Sequence, residues 1–281
     1  AQFLPGKVVE QLARNVGRVT AHNRVVFGVC LATDAEQYTR LAEQTSPGEL
    51  GEVMNTYYAT LFAPVERTGG VVIDVVGDSM VAIWAGAASD AELRANACRS
   101  ALEIAATEQQ PGGMAPALHT RLGLHAGDML IGSVGASRHY EYRAVGDIVN
   151  TASRIQGLNK TLGTNVLASA ATVQGLDGFV TRPLGSFLLA GKSSSVAIVE
   201  LLGSADQGGA TLAQRCAAFA GALEAYEAQR WSEAAEGFAR VQALAGTAGD
   251  GPARFYLERC RQLQAQAPGA DWTPTVRVDV K

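Results

Sequence analysis

Residues 69–86 read GGVVIDVVGDSMVAIWAG and set two acids, Asp74 and Asp78, four residues apart in one of the most apolar runs of the chain. A carboxylate taken out of water without a partner costs about several kcal/mol. The run must therefore turn and expose its acids, or something positive must face them. The pair Gly77-Asp78, lying between VVIDVV and SMVAIWA, is a two-residue hairpin signal flanked by β-branched strands. This reading puts Asp78 at a hairpin tip and leaves Asp74 inside the first strand.

Working outward, VVFGVCLAT (25–33) is a buried strand, and TDAEQYT (33–39) ends it on Asp34 with a helix start behind. SPGELGEVMNTYYATLFAPVERTGG (46–70) has helical spacing at Leu50, Val53, Met54, Tyr57 and Leu61, opened by Ser46-Pro47 and closed by Gly69-Gly70. A further helix begins at Ser89 or Asp90. LHTRLGLHAGDMLIGSVGA (118–136) reads as two strands joined near Gly127-Asp128, and SRHYEYRA (137–144) as a polar, aromatic stretch. GDIVNTASRIQGLNKTLG (146–163) is a helix from Asp147 to Gly163. TNVLAS (164–169) and RPLGSFLLAGKSSSVAIVELL (182–202) supply late strands. The alternation points to a mixed domain with a mostly antiparallel sheet over 24–203, preceded by a helical linker over 1–23.

GSADQGGA (203–210) is a Gly-rich linker. Residues 211–265 are rich in Ala and Glu and read as three amphipathic helices breaking near Gln229-Arg230 and Gly249-Gly251. AYEAQRWSEAAEGFARV (225–241) resembles a tetratricopeptide helix pair, and 266–281 reads as a tail. So few helices cannot bury their own faces, so they are expected to pack on the main domain or on a protein partner.

Composition narrows the function. The net charge of −4, without a long basic run, argues against nonspecific nucleic-acid binding. Cys30, Cys98, Cys216 and Cys260 are widely spaced, with no CxxC or Cys/His pattern, which reads as reduced buried thiols rather than a zinc site. No stretch of about 18 or more apolar residues is present, so nothing in the sequence reads as spanning a bilayer.

The chemistry-bearing residues fall into two groups. Asp34 at a strand end and Asp78 at a hairpin tip on a neighbouring strand could share hard cations such as magnesium, which takes one or two carboxylates plus substrate phosphates. Asn150 and Arg154, spaced i and i+4, lie on one helix face and suit a ribose and a polyphosphate.

The succession LATDAEQYTRLAE, GGVVIDVVGDSMVAIWAG, RLGLHAGDMLIGSVG and YRAVGDIVNTASRIQGLNKTLGTNVLAS, in this order over roughly 24–202, resembles the catalytic domain of the class III adenylyl/guanylyl cyclases. The resemblance implies an α+β, ferredoxin-like sheet with helices on one face, here with a small C-terminal helical region. It implies a homodimer with active sites between the subunits, two Mg²⁺ or Mn²⁺ ions, and a nucleoside triphosphate (ATP or GTP) as substrate. Asp34 and Asp78 match the metal-binding aspartates, with the backbone carbonyl of Ala35 as a further ligand. Asn150 and Arg154 match the ribose-orienting asparagine and the arginine at the reacting phosphorus, contributed by the other subunit. The late lysine motif is LLAGKSS here, with Ala190 at one lysine position and Lys192 as the phosphate-contacting candidate. FLPGKVVEQLA (3–13) and the terminal helices also resemble bacterial cyclases with a sensor and membrane segments upstream. The chain is thus expected to be the cytoplasmic portion of a membrane-anchored protein.

Base recognition departs from the family pattern. The usual Lys/Asp pair for adenine stands as Asp74/Arg143. Asp74 could accept from guanine while Arg143 donates to O6, or the pair could read adenine with exchanged roles, or the two could bridge each other and leave selection loose. A degenerate cyclase that binds nucleotide and regulates a partner, and a scaffold whose working end is the C-terminal helices, are the alternatives of other classes. The Gly-Gly-acid-acid-Phe signature of the diguanylate cyclases is absent.

Overall fold

The computed structural model describes residues 24–107, 118–136, 139–269 and 271–278. The helix expected within 1–20 lies outside them. Nine strands form one sheet among the described residues: β1 (Arg24–Ala35), β2 (Val71–Val76), β3 (Ser79–Ala85), β4 (Thr120–Ala136), β5 (His139–Val145), β6 (Val166–Ser169), β7 (Phe179–Leu188), β8 (Val196–Ser204) and β9 (Val276–Arg277). Their order is β2-β3-β1-β4-β6-β8-β7-β9, with β5 paired to the far end of β4. Most neighbours are antiparallel, while β4–β6 and β7–β9 are parallel.

Eight α-helices accompany the sheet among the described residues: α1 (Tyr38–Gln44), α2 (Pro47–Arg67), α3 (Asp90–Thr107), α4 (Asp147–Leu162), α5 (Ala170–Val173), α6 (Ala210–Glu227), α7 (Trp231–Ala245) and α8 (Gly251–Ala265). The Ser46 signal works as expected: its side chain and Glu49 form a capping box, and Pro47 takes the first helical position. In contrast, Gly127-Asp128 does not break β4. Gly127 and Asp128 pair with Gly28 and Phe27 in one unbroken β1 register, so a single long strand replaces the expected two. The stretch after it, read as polar and aromatic, contributes β5, which pairs with the overhang of β4.

Strand alternation separates two buried faces. Val29 and Leu31 of β1 point with Met80, Ala82 and Trp84 into a core closed by Met54, Tyr57, Leu61 and Val65 of α2 and by Ala97, Cys98 and Ala101 of α3. Cys30 and Ala32 point the opposite way, where Ile148 and Ala152 of α4 cover them. The α+β sheet with its C-terminal helical region is therefore as expected, but α4 takes the face that α2 and α3 leave open. Gly123 permits this, since a methyl there would lie 2.2 Å from the Gln156 nitrogen and 2.4 Å from the Ala152 oxygen.

The C-terminal helices cover the rest of the α4 face. Phe219, Leu223, Tyr226, Phe238 and Tyr256 pack with Ile155, Leu158 and Leu162 of α4 and with Leu184, Phe187 and Ile198 of the sheet. The tail that follows is not loose, because β9 adds a parallel strand to β7. Arg182, 2% exposed, clamps the junction. It donates to Glu200 of β8 and to Asp250, and it lies 4.6 Å from the Phe219 ring centroid. Asp250 in turn accepts from the Ala253 N–H as the N-cap of α8.

Removing one member of a buried ion network leaves the others charged and unpaired, at a cost of about 3–5 kcal/mol. Arg182→Ala is accordingly expected to lower unfolding stability by about that amount, measured by urea titration, whereas Arg261→Ala in an exposed pair should change it by less than about 1 kcal/mol.

Candidate active site

The hairpin reading explains Asp78. Gly77 has φ 59° and Asp78 does not share the positive φ, the arrangement of a type II′ turn with Gly first. The β1–β3 ladder ends at Ala32↔Val81. Beyond it the Thr33 hydroxyl takes over, accepting from the Met80 N–H at 3.0 Å and meeting the Met80 carbonyl at 3.5 Å. Across the next step the Ala35 N–H donates to the Asp78 carboxylate at 3.0 Å. From the other side, the Tyr58 hydroxyl of α2 donates to the Gly77 carbonyl. The hairpin tip is thus docked on the end of β1, and Asp78 is held beside Asp34.

Burial pushes the Asp78 carboxyl above the ordinary aspartate range, and the charge of Asp34 adds to this. Backbone N–H groups and Lys160 oppose it. Asp34 is flanked by two cations that sequence reading did not single out. Arg121 stands directly opposite it on β4, 3.7 Å away, and donates more closely to Glu36 at 2.6 Å. Lys160, from the last turn of α4, lies 3.5 Å from Asp34. The β1–β4 register is the signal for Arg121, and it cannot be read before the strands are paired.

No group of three or more His, Cys, Asp or Glu side chains able to hold a metal gathers among the described residues. Asp34 and Asp78 form a two-carboxylate site whose donors are hard oxygens, without the His or Cys that zinc favours. That chemistry fits Mg²⁺ or Mn²⁺ completed by substrate oxygens and water.

The second group of expected residues is brought together elsewhere. Asn150 is exposed on α4, and Arg154, one turn on, reaches the turn at Gly191, where a methyl would lie 3.3 Å from its guanidinium. Gly191 has φ +66°, and the Lys192 N–H closes this turn on the Leu189 carbonyl. Lys192 forms an ion pair with Asp147, whose carboxyl is held below its usual range mainly by that contact. His125, partly buried nearby and bonded to Ser169, is pushed down to about 4 by desolvation and by Lys192.

Ten residues of α4 separate Asn150 from Lys160, about 15 Å of helix at 1.5 Å per residue. One chain therefore holds the acids at one end of α4 and the amide and guanidinium toward the other. Asp74 is exposed on the edge strand β2, just past a register shift, with its carboxylate accepting from the Val75 N–H. Arg143 lies on β5 opposite Gly132, in a stretch described by its backbone. The structure of one chain does not bring Asp74 and Arg143 together in the sheet order.

Asp34 and Asp78 thus stand side by side at the end of a central strand of this sheet. The family described as the adenylate and guanylate cyclase catalytic domain matches residues 25–200, and the chain belongs to it. Its class is therefore that of the nucleotidyl cyclases, which are phosphorus–oxygen lyases. The match ends before α6, so nothing in it bears on a tetratricopeptide reading of the C-terminal helices.

Adenylate cyclase 1 of Rhizobium meliloti is 37% identical over 177 residues, covering 61% of this chain and 27% of that protein. An adenylate cyclase of Anabaena cylindrica is 28% identical over 214 residues, covering 71% and 42%. The chain thus spans less than half the length of either relative. The adenylyl cyclase CyaB from P. aeruginosa shares the fold with a TM-score of 0.58 at 20% identity, over 67% of this chain and all of that one. The guanylate cyclase domain of RhGC from Catenaria anguillulae, solved in complex with GTP, has a TM-score of 0.55 at 23% identity, over 64% and 99%. Among the described residues no helix is long and apolar enough to cross a membrane.

The raised Asp78 carboxyl carries a consequence for stability. An acid with a raised native pKa costs stability wherever it is ionised in the folded state, and costs nothing once both states are protonated. Asp78→Asn should therefore raise the melting temperature of the metal-free protein near neutral pH. The gain should shrink as pH falls through the raised value and vanish below the ordinary value of 3.8. Thermal melts of both proteins across pH 3–8 check it.

Proposed function

We propose that the chain converts a nucleoside triphosphate to its 3′,5′-cyclic nucleotide and pyrophosphate at sites shared between two copies in a homodimer. The docking of Asp78 onto the Ala35 N–H, beside Asp34, carries the reading. It commits two carboxylates to one place, at a cost that a bound divalent cation would offset further than Lys160 and Arg121 do. Asp34, Asp78 and the Ala35 carbonyl would hold two Mg²⁺ or Mn²⁺ ions, which when bound lower the pKa of the attacking 3′-hydroxyl and neutralise charge on the leaving phosphates.

The other roles belong to the chain's own side chains. Asn150 orients the ribose by hydrogen bonding, and Arg154 meets the charge that grows on the α-phosphate oxygens. Lys192 leaves Asp147 to engage the outer phosphates, and Arg121 adds a fixed cation beside the acids. The separation of Asn150 from Asp34 along α4 supports contribution from the partner copy, which makes each site incomplete in a lone chain. The catalytic segment would work on the cytoplasmic side of a membrane-anchored protein, with the C-terminal helices offering a surface for a protein partner.

ATP is the substrate favoured by the named relatives. The exposed Asp74 favours a second reading, because a carboxylate accepts from the N1–H and N2–H of guanine while Arg143 would donate to O6. Incubation with each of the four nucleoside triphosphates and Mn²⁺, with products identified by mass spectrometry, decides the base. Binding with no cyclic product from any of them would replace the enzyme reading with a regulatory one.

Asp34→Ala and Asp78→Ala are each expected to abolish product, and Arg154→Ala to lower kcat by at least about a hundredfold with little change in nucleotide affinity. A mixture of Asp34→Ala and Arg154→Ala chains should recover activity, approaching about a quarter of the unsubstituted level at equal amounts if chains pair at random. Full activity in Asp34→Ala, or no recovery in the mixture, would overturn the metal assignment or the shared site respectively.

A further inference from the structure

We propose that Lys160 is a further functional residue of this site: the resident counter-cation of Asp34, which yields that carboxylate oxygen to a divalent ion and so sets how tightly the site takes one. The inference rests on the twin-carboxylate reading of Asp34 and Asp78 given above.

Three observations single Lys160 out. Its ammonium lies 3.5 Å from Asp34 Oδ2, the same oxygen that Arg121 approaches at 3.7 Å. Arg121 is committed elsewhere, with a 2.6 Å bond to Glu36 and a side chain only 13% exposed, so it is fixed in the wall of the site. Lys160 is 53% exposed, and its long contact to Asp34 is an ion pair that water can replace. A half-exposed ammonium on a flexible stem gives way easily, whereas a fork-bonded guanidinium does not.

Position explains the division of labour along α4. Asn150 and Arg154 lie toward its start and would serve the partner's site, while Lys160, in its last turn, faces the acids of its own chain. The C-terminal end of α4 cannot drift away from those acids. α8 is set against it so closely that a methyl on Gly251 would lie 2.0 Å from the Leu162 carbonyl oxygen. Without a metal the acids keep a nearby positive charge; with one, Lys160 swings into solvent or toward the phosphates.

The test is Mn²⁺ binding to the full chain without nucleotide, followed by water-proton relaxation, for the unsubstituted protein, Lys160→Met, Lys160→Arg and Asp34→Asn. Removing a nearby cation strengthens binding of another cation. Lys160→Met should therefore bind Mn²⁺ about three- to tenfold more tightly, with the difference narrowing as KCl is raised. Lys160→Arg should stay near the unsubstituted affinity and metal-free melting temperature, and Lys160→Met, which strips the acids of a half-exposed counter-ion, should lower the metal-free melting temperature only slightly. Unchanged or weaker Mn²⁺ binding in Lys160→Met, with binding still lost in Asp34→Asn, would overturn the role of Lys160 and leave the twin-carboxylate site standing. Mn²⁺ binding that Asp34→Asn does not weaken would overturn both.

Discussion

The hydrogen bond from the Ala35 N–H to the Asp78 carboxylate, at 3.0 Å, is the contact on which the site depends. It joins a hairpin tip to the end of a central strand that it would otherwise only pass. Thr33 prepares it by substituting its hydroxyl for the missing ladder bond to Met80, and Tyr58 secures the turn behind it. The result is electrostatically unfavourable by itself, since a half-buried acid is forced next to a second one. Such an arrangement persists only because the surrounding sheet fixes it, a common relation between local strain at a working site and stability elsewhere.

The stability elsewhere has a visible source. Both faces of the sheet are buried, and on the second α4 contributes to two clusters, one with β1 and β3 and one with the C-terminal helices. Arg182, Glu200 and Asp250 join the last helices to β7 and β8 through charges that are paired and hydrogen-bonded rather than isolated. Burial of such a network favours one docking geometry over its neighbours, because any other leaves a charge unpaired. The C-terminal helices are thus part of the platform that holds α4, and α4 carries residues at both of its ends.

Much of the fold was legible in the chain. β-Branched runs, the Gly77-Asp78 turn, the Ser46 cap and the Gly163 stop are local signals, and each acts over a few residues. Two readings failed for the same reason. Gly127 looks like a break, and residues 137–144 read only as polar and aromatic, until β4 is seen to run straight through and to carry β5 on its overhang. Strand length is set by the partner strand, and no local pattern reports the partner. The distribution of helices between the two faces was likewise a matter of pairing, since α4 reaches its face only where Gly123 leaves room.

For the site, the sequence by itself determined the chemical inventory: the acids Asp34 and Asp78, the i, i+4 pair Asn150 and Arg154, Lys192 in its turn, and the odd Asp74 and Arg143. Those are residue types at spacings, and spacing survives without coordinates. Only the tertiary structure decided which of them meet. It set Asp78 against Ala35, put Arg121 and Lys160 beside Asp34, tied Lys192 to Asp147, and held Asn150 away from the acids along α4. Long-range contacts of this kind follow from strand register and helix docking, in which residues scores of positions apart are brought within a few ångströms, and register is a property of the whole sheet.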